Sequence, residues 1–369
     1  MKVLIIGLYN KLGGIEKCIY DYISHMDLNG VSIGFTGAPE HIWFEEEFRK
    51  LGCLIHPVCE RRNVFWYYKE LCGIIRKNHY DIVHINMLSC ANCIPVIAAL
   101  KCGSKVICHS HNSAIPSGSA VSCVKKILHR FNRHLVRKAD VIKLSCSKDA
   151  GTFFYGKTGD FTVLANAIDT VHFTFNKNIR IQKRKELGLS DKDFVIGQVG
   201  RFEYQKNHEF SLRFFAEFLK RKPDSFLLLI GTGSLEDLCK KKVKELGIEK
   251  NVLFCGQQSD TAPFLFAMDI FLFPSLFEGL SVAGVEAQCS GLPLVASSTI
   301  SQEMKKTDLV SWCDLSAPLT EWISAVEECS GSLNYRSDYA KQIAGQGFDI
   351  SSQSENLRHI YESCLEASK

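Results

Sequence analysis

Along most of the chain, short apolar runs alternate with longer stretches in which apolar positions recur every three or four residues. The runs are KVLIIG (2–7), VSIGFT (31–36), CLIHPV (53–58), DIVHIN (81–86), KVICHS (105–110) and DVIKLS (140–145). They continue with FTVLAN (161–166), DFVIGQVG (193–200), SFLLLIG (225–231), NVLFCG (251–256), DIFLFPS (269–275) and LPLVAS (292–297). Runs of this length between amphipathic segments predict parallel strands joined by crossover helices. There are two such series, and each opens with a strand running into a glycine-containing turn: IIGLYNKLGGIE and VIGQVGRFEYQKN. The pattern predicts an α/β chain of two doubly wound, Rossmann-like domains joined near ANAID (165–169) and facing across a cleft. Ligands of such sheets bind beyond the carboxyl ends of the strands, so the cleft is the expected site.

Composition supports a sizeable core: 369 residues, 46% hydrophobic and 23% charged, are enough for two ordinary domains. A net charge of +4 is too weak to imply nucleic acid, and no nucleic-acid partner is expected. The 16 cysteines lack metal-type spacing; Cys90-Ala-Asn-Cys93 is a lone CxxC, read as buried thiols in an apolar helix. Many unpaired cysteines in a large α/β chain point to a reducing cytosol. The N-terminal apolar run reads as a strand, not a signal peptide. No stretch reaches the ~18 to 20 apolar residues of a spanning helix. The expectation is a cytoplasmic protein, soluble or peripheral on the inner face of the membrane.

Candidate chemistry sits where strands end. GGIE (13–16) follows the first strand and opens a helix; its glycines admit close backbone approach and the helix N-terminus favours anions. In GRFEYQKN (200–207), Arg201 and Lys206 are placed to clamp two phosphates, one with a planar fork and one with a compact charge. In EGLSVAGVE (278–286), Glu278 precedes a helix that carries Glu286, and the amides of Leu280 and Ser281 face an anion. Carboxylates among small and apolar residues suit the vicinal hydroxyls of a sugar or ribose. HSHNS (109–113) closes the fifth strand, where His111 can meet a sugar hydroxyl or phosphate or can simply be structural. No nearby acid or cysteine completes a metal site there. Asp191-Lys-Asp193 has the DxD form, but it precedes a strand and reads as a solvated turn.

Residues 124–138, VKKILHRFNRHLVRK, form an amphipathic basic helix. Val124, Ile127, Leu128, Phe131 and Leu135 make its stripe; Lys125, Lys126, Arg130, Arg133, Arg137 and Lys138 carry its charge. Two readings stand open: the stripe lies on an anionic membrane, or the core covers it. RRNVFWYYK (61–69) adds basic and aromatic residues in the same half, at an interface or at an ordinary core helix start.

Together these pieces resemble the retaining glycosyltransferases of family 4, which have the GT-B fold. GGIE, HSHNS, NAID, VGRFEYQKN, LLLIGTGSLED, VLFCGQQSD, PSLFEGLSVAGVEAQCSGLPLVAS and the terminal FDI carry the resemblance over nearly the whole chain. HSHNS with ISQEMKKTDLVSWCDL (300–315) looks like the branch that builds capsular and exopolysaccharides. The resemblance implies a nucleotide-diphosphate sugar donor, usually UDP-linked, as substrate, with no cofactor and no metal. It implies that the Gly14 backbone, Arg201 and Lys206 hold the diphosphate and Glu286 the ribose. Glu278 and the amides of Gly279, Leu280 and Ser281 would hold the donor sugar, His111 would contact it from the other domain, and Gln257 would meet the base. The acceptor implied is a growing glycan or lipid-linked oligosaccharide. The terminal helix would cross back, giving domains 1–166 plus about 348–369, and 167–347. One departure is Ala167 in Asn166-Ala167-Ile168-Asp169, where the family commonly has glycine. A nucleotide-sugar epimerase and a non-catalytic scaffold of polysaccharide assembly are the competing readings.

Overall fold

The computed structural model describes residues 1–8, 14–37, 42–59, 63–115, 120–329 and 336–366. The chain divides into two compact units: Met1–Ala167 with the segment from Ile350 onward, and Ile168–Asp349.

The first unit runs β1 (Lys2–Ile6), α1 (Gly14–His25), β2 (Ser32–Gly37), α2 (Glu45–Lys50), β3 (Leu54–Pro57), α3 (Val64–Asn78) and β4 (Ile82–Met87). It continues α4 (Ile94–Cys102), β5 (Lys105–Ser110), α5 (Ala120–Lys138), β6 (Ile142–Ser145), α6 (Lys148–Tyr155) and β7 (Thr162–Val163). All its strands are parallel, in the order β3-β2-β1-β4-β5-β6-β7. Side chains alternate across the sheet with period two. Val3 and Ile5 enter one core with α1 and Phe48 of α2, while Leu4 and Ile6 enter the other with α3, α4 and α6.

The second unit runs α7 (Lys177–Glu186), β8 (Phe194–Val199), α8 (His208–Arg221), β9 (Ser225–Ile230), α9 (Glu236–Leu246), β10 (Val252–Phe254) and α10 (Ala262–Ala267). It continues β11 (Ile270–Phe273), α11 (Val282–Cys289), β12 (Leu294–Ser297), β13 (Val310–Cys313), α12 (Leu319–Cys329) and α13 (Tyr339–Ile343). Its order is β10-β9-β8-β11-β12-β13, again parallel. Ile196, Leu227, Leu229, Ile270 and Leu272 pack with α8, α9 and Trp322 of α12. The last helix, α14 (Ile350–Glu366), returns to the first unit, where Ile350, Leu357 and Tyr361 join the core beneath α1.

Each expected strand exists, most of them trimmed at the ends; β5 matches in full, β2 and β4 each run one residue further, to Gly37 and Met87, and β13 is additional. Its four residues sit at the sheet edge after the polar stretch Lys305–Asp308, too short and too flanked by charge to stand out as an apolar run. At the unit boundary, Ile168 N–H donates to the Phe348 carbonyl at 2.9 Å, beside the Ile168–Asp349 bridge. Ala167 is buried and is not among the residues with positive φ, so the missing glycine costs nothing there.

Both sheets reverse strand order at their first strand: β1 lies between β2 and β4, and β8 between β9 and β11. The backbone crevice outside such a reversal is where doubly wound sheets hold ligands. The turns there are tight enough to exclude side chains. Gly7 has φ +132°, and a Cβ would come within 2.7 Å of Asn86; Gly231 has φ +135°, and a Cβ would lie 2.2 Å from the Gly200 carbonyl oxygen.

Candidate active site

In the second unit, the loops after β8, β9, β10 and β11 gather at one sheet end. The segment after β8 makes a short 3-10 turn, Tyr204–Lys206, before α8. Lys206 Nζ pairs with Glu278 Oε1 at 2.6 Å, and both side chains are largely buried, at 17% and 9% exposure. Gln205 Nε2 donates to the other oxygen of Glu278 at 3.0 Å and to the Phe277 carbonyl at 2.9 Å. Leu276 N–H donates back to the Gln205 carbonyl at 2.8 Å, so two loops 70 residues apart are stitched together.

The turn carrying Lys206 is also held from beneath. Gln198, fully buried on β8, donates to the Lys206 carbonyl at 2.7 Å and accepts from the Ser211 hydroxyl of α8 at 2.6 Å. Arg201, one turn earlier, is exposed and makes no ion pair among the described residues. It therefore keeps all its donors available.

Glu278 precedes α11, whose N-cap is Ser281; the Ser281 hydroxyl accepts from Gly284 N–H at 3.4 Å. Among the described residues the amides of Gly279, Leu280 and Ser281 donate to no protein acceptor. Unsatisfied N–H groups at a helix start attract an anion or a sugar oxygen. Gly284 has a different reason to lack a side chain: a Cβ would sit 2.4 Å from the Met304 sulfur, so it serves packing. Glu286 is buried one turn into α11, with the Thr261 hydroxyl 3.4 Å from its Oε2. Gln257 is exposed just after β10, and Thr232, after β9, donates to its Oε1 at 3.4 Å.

Gly14 and His111 belong to the first unit. Gly14 is exposed at the first position of α1, and a Cβ there would meet nothing within 4 Å, so internal packing does not demand glycine. Gly13 of GGIE and Arg61 and Arg62 of the aromatic-basic segment lie outside the described residues. His111 is buried after β5, with Nε2 2.8 Å from Asn86 Oδ1 and no protein partner for Nδ1. Burial lowers its pKa to about 4. Its ring lies 4.1 Å from that of His109. His109 Nδ1 is 3.2 Å from His84 Nε2, and His84 Nδ1 is 2.7 Å from the Tyr361 hydroxyl of α14. A small cavity is lined by these groups and by Cys18, Tyr22 and Leu164.

Several of these residues carried no sequence signal. Gln198 is the polar member of an apolar strand, a hint that only its buried partners explain. Gln205 sits inside GRFEYQKN but acts through Glu278, 73 residues away. Asp193 accepts from Ser190 N–H at 2.6 Å in the turn before β8, at the opposite strand end from the site. Cys90 and Cys93 are both buried, and burial raises both thiol pKa values, that of Cys93 to about 11. They head α4 as structural thiols. Among the described residues no group of three His, Cys, Asp or Glu side chains is placed to hold a metal ion.

The architecture is that of GT-B glycosyltransferases, two Rossmann-like α/β units in one chain. The structure of Anabaena Alr3699/HepE in complex with UDP superposes with a TM-score of 0.79 over 98% of this chain and all of that one, at 19% identity. Residues 179–304, inside the second unit, match the family described as Glycosyl transferases group 1. The chain is also similar to the putative glycosyltransferase EpsF of Bacillus subtilis, 27% identical over 359 residues, covering 95% of this chain and 93% of that protein. A further relative is the UDP-Gal:alpha-D-GlcNAc-diphosphoundecaprenol alpha-1,3-galactosyltransferase of Escherichia coli, 28% identical over 79% of this chain and 78% of that one. The family match thus falls within the second unit, while the similarity to EpsF runs over nearly the whole chain.

Proposed function

We propose that this protein transfers a hexosyl or N-acetylhexosaminyl group, with retention, from a UDP-linked donor to a growing glycan in capsular or exopolysaccharide synthesis. The acceptor is lipid-linked in this reading, and no metal or cofactor takes part. The observation that carries it is the Lys206–Glu278 pair beside exposed Arg201 at the strand-order reversal, 2.6 Å between ammonium and carboxylate. The site combines cations for a diphosphate with a carboxylate and free amides for sugar hydroxyls. The names of relatives agree: one uses UDP-Gal and a diphosphoundecaprenol acceptor, and a structural neighbour holds UDP-glucose.

In the reaction, the bond between the anomeric carbon and the β-phosphate oxygen breaks. The acceptor hydroxyl oxygen bonds to the same face of that carbon, and its proton passes to the departing phosphate. Negative charge grows on the diphosphate, where Arg201 and Lys206 stabilise it; removing one such group costs on the order of 3 kcal/mol in the barrier. Glu286 takes the ribose hydroxyls and Gln257 the base. Glu278 with the amides of Gly279 to Ser281 orients the sugar. A retaining glycosidase instead needs two carboxyls about 5 Å apart at one anomeric carbon. Glu286 is held toward Thr261 and Glu278 toward Lys206, which favours transfer.

UDP release from a panel of UDP-sugars, with and without lipid extract, tests the reading. Release from one sugar that rises with lipid is expected, and Arg201→Ala and Glu278→Gln should each lower it strongly. Full activity in both variants overturns the site. Donor conversion to an epimer without acceptor establishes the alternative chemistry.

A further inference from the structure

Helix α5 turns its apolar stripe away from the protein. Among the described residues of this helix only His129 and Val136 are buried. Val121, Val124, Ile127, Leu128, Phe131 and Leu135 are exposed, Phe131 at 72% and Val121 at 64%. At 100° per residue these six fall within an arc of about 120°. The buried pair points roughly 130° away from the centre of that arc. A surface helix ordinarily puts its widest apolar stripe on the core. Here the inward side is instead pinned by specific contacts. His129 stacks on Phe153 at 4.3 Å and accepts from Cys90 N–H at 3.1 Å; Asn132 donates to the Ala91 carbonyl at 3.3 Å, and Arg133 to the Phe153 carbonyl at 3.3 Å. The helix is therefore anchored with its stripe outward, and the core-covered alternative is overturned for these residues.

The charge around the stripe selects the partner. Residues 120–138 contain Lys125, Lys126, Arg130, Arg133, Arg137 and Lys138 and no Asp or Glu. Lys125 borders one side of the stripe, Arg130 the other, and Lys138 extends it. Long cationic side chains flanking an apolar face reach headgroup phosphates while the face enters the acyl boundary. Helix α3, which shares the same core layer, begins with exposed Val64, Phe65 and Trp66, and Lys69 lies 5.0 Å over the Trp66 ring. Both helices follow strand ends, so their first turns lie toward the same, ligand-binding end of the sheet. Among the described residues no helix is long and apolar enough to cross a membrane.

We infer that the outward face of α5 docks the protein on an anionic lipid bilayer, lying in the interface, with the first turn of α3 as a second contact. The docking is independent of the transfer reading, because its readout requires no turnover. The experiment is co-sedimentation of the full chain with phosphatidylcholine vesicles, with and without phosphatidylglycerol, at low and high salt. Binding to the anionic vesicles at low salt, weakened by salt, is expected. Leu128→Ser with Phe131→Ser should lower partitioning at least about tenfold. Lys125→Glu with Arg130→Glu should lower it by more than about tenfold on anionic vesicles only. All four positions are exposed, and matching thermal unfolding of the variants checks their fold. Absence of wild-type binding at low salt, or equal binding by the serine variant, overturns the inference. So does sedimentation showing a dimer that the serine variant dissolves, which would make the face an interface between two copies.

Discussion

In the proposed reading, the ion pair between Lys206 and Glu278 has a consequence opposite in sign for binding and for transfer. Without ligand, Lys206 is already neutralised by a carboxylate 2.6 Å away. A diphosphate drawn to the same ammonium through a contact of about 2.8 Å brings its charge within roughly 5.5 Å of Glu278. At an effective dielectric near 20, unit charges at that distance repel by about 3 kcal/mol. Solvent reaches the pair only partly, so a net effect of about 1 to 1.5 kcal/mol is reasonable, or close to tenfold in affinity. Glu278→Gln keeps the shape and an acceptor for the Gln205 amide but removes the charge. UDP should bind the variant about tenfold more tightly, measured by titration calorimetry. Sugar transfer, measured as UDP release with acceptor present, should fall by about 10² to 10³ because the donor sugar loses its charged anchor. Lys206→Ala should weaken both. If Glu278→Gln binds UDP no better than the wild type, or transfers sugar as well, the electrostatic reasoning fails.

Three further outcomes follow from the packing. Gln198→Ala removes the link between the Ser211 hydroxyl and the Lys206 carbonyl and leaves a void, so unfolding in urea should come about 2 to 4 kcal/mol earlier, while Ser211→Ala should cost only about 1 kcal/mol. Gly231→Ala forces a Cβ against the Gly200 carbonyl at positive φ and should destabilise the second unit by more than about 2 kcal/mol, read by the same urea titration. Burial lowers His84 to about 3 and His111 to about 4, below the ordinary 6.5. Between pH 6.5 and 4 the unfolded chain therefore binds more protons than the folded one. This stability is complete above pH 6.5 and lost as pH falls through that window, by up to about 1.4 kcal/mol per pH unit per histidine. Thermal unfolding from pH 7 to pH 5 should show the fall, and His111→Gln should make it shallower.

The sequence by itself determined the class of fold and which strand ends carry the glycine turns and the charged segments. Alternating runs such as SFLLLIG and amphipathic stretches between them are local signals, because a parallel strand buried on both faces and a one-sided helix each impose a short period on their own residues. The glycine turns after the first strand of each series and the spacing of Glu278 and Glu286 along a helix start are equally local. Local signals are silent on which distant residues meet. The Lys206–Glu278 pair spans 72 residues, and the contact between His84 and Tyr361 spans 277. Strand β13 is four residues that count as a strand only because β12 offers it hydrogen bonds. The stripe of α5 was plain in the sequence, but amphipathicity gives the stripe a direction on the helix and not in the protein. Only the contacts of His129, Asn132 and Arg133 decide that it faces outward, since a helix's rotation about its axis is set by what packs against it.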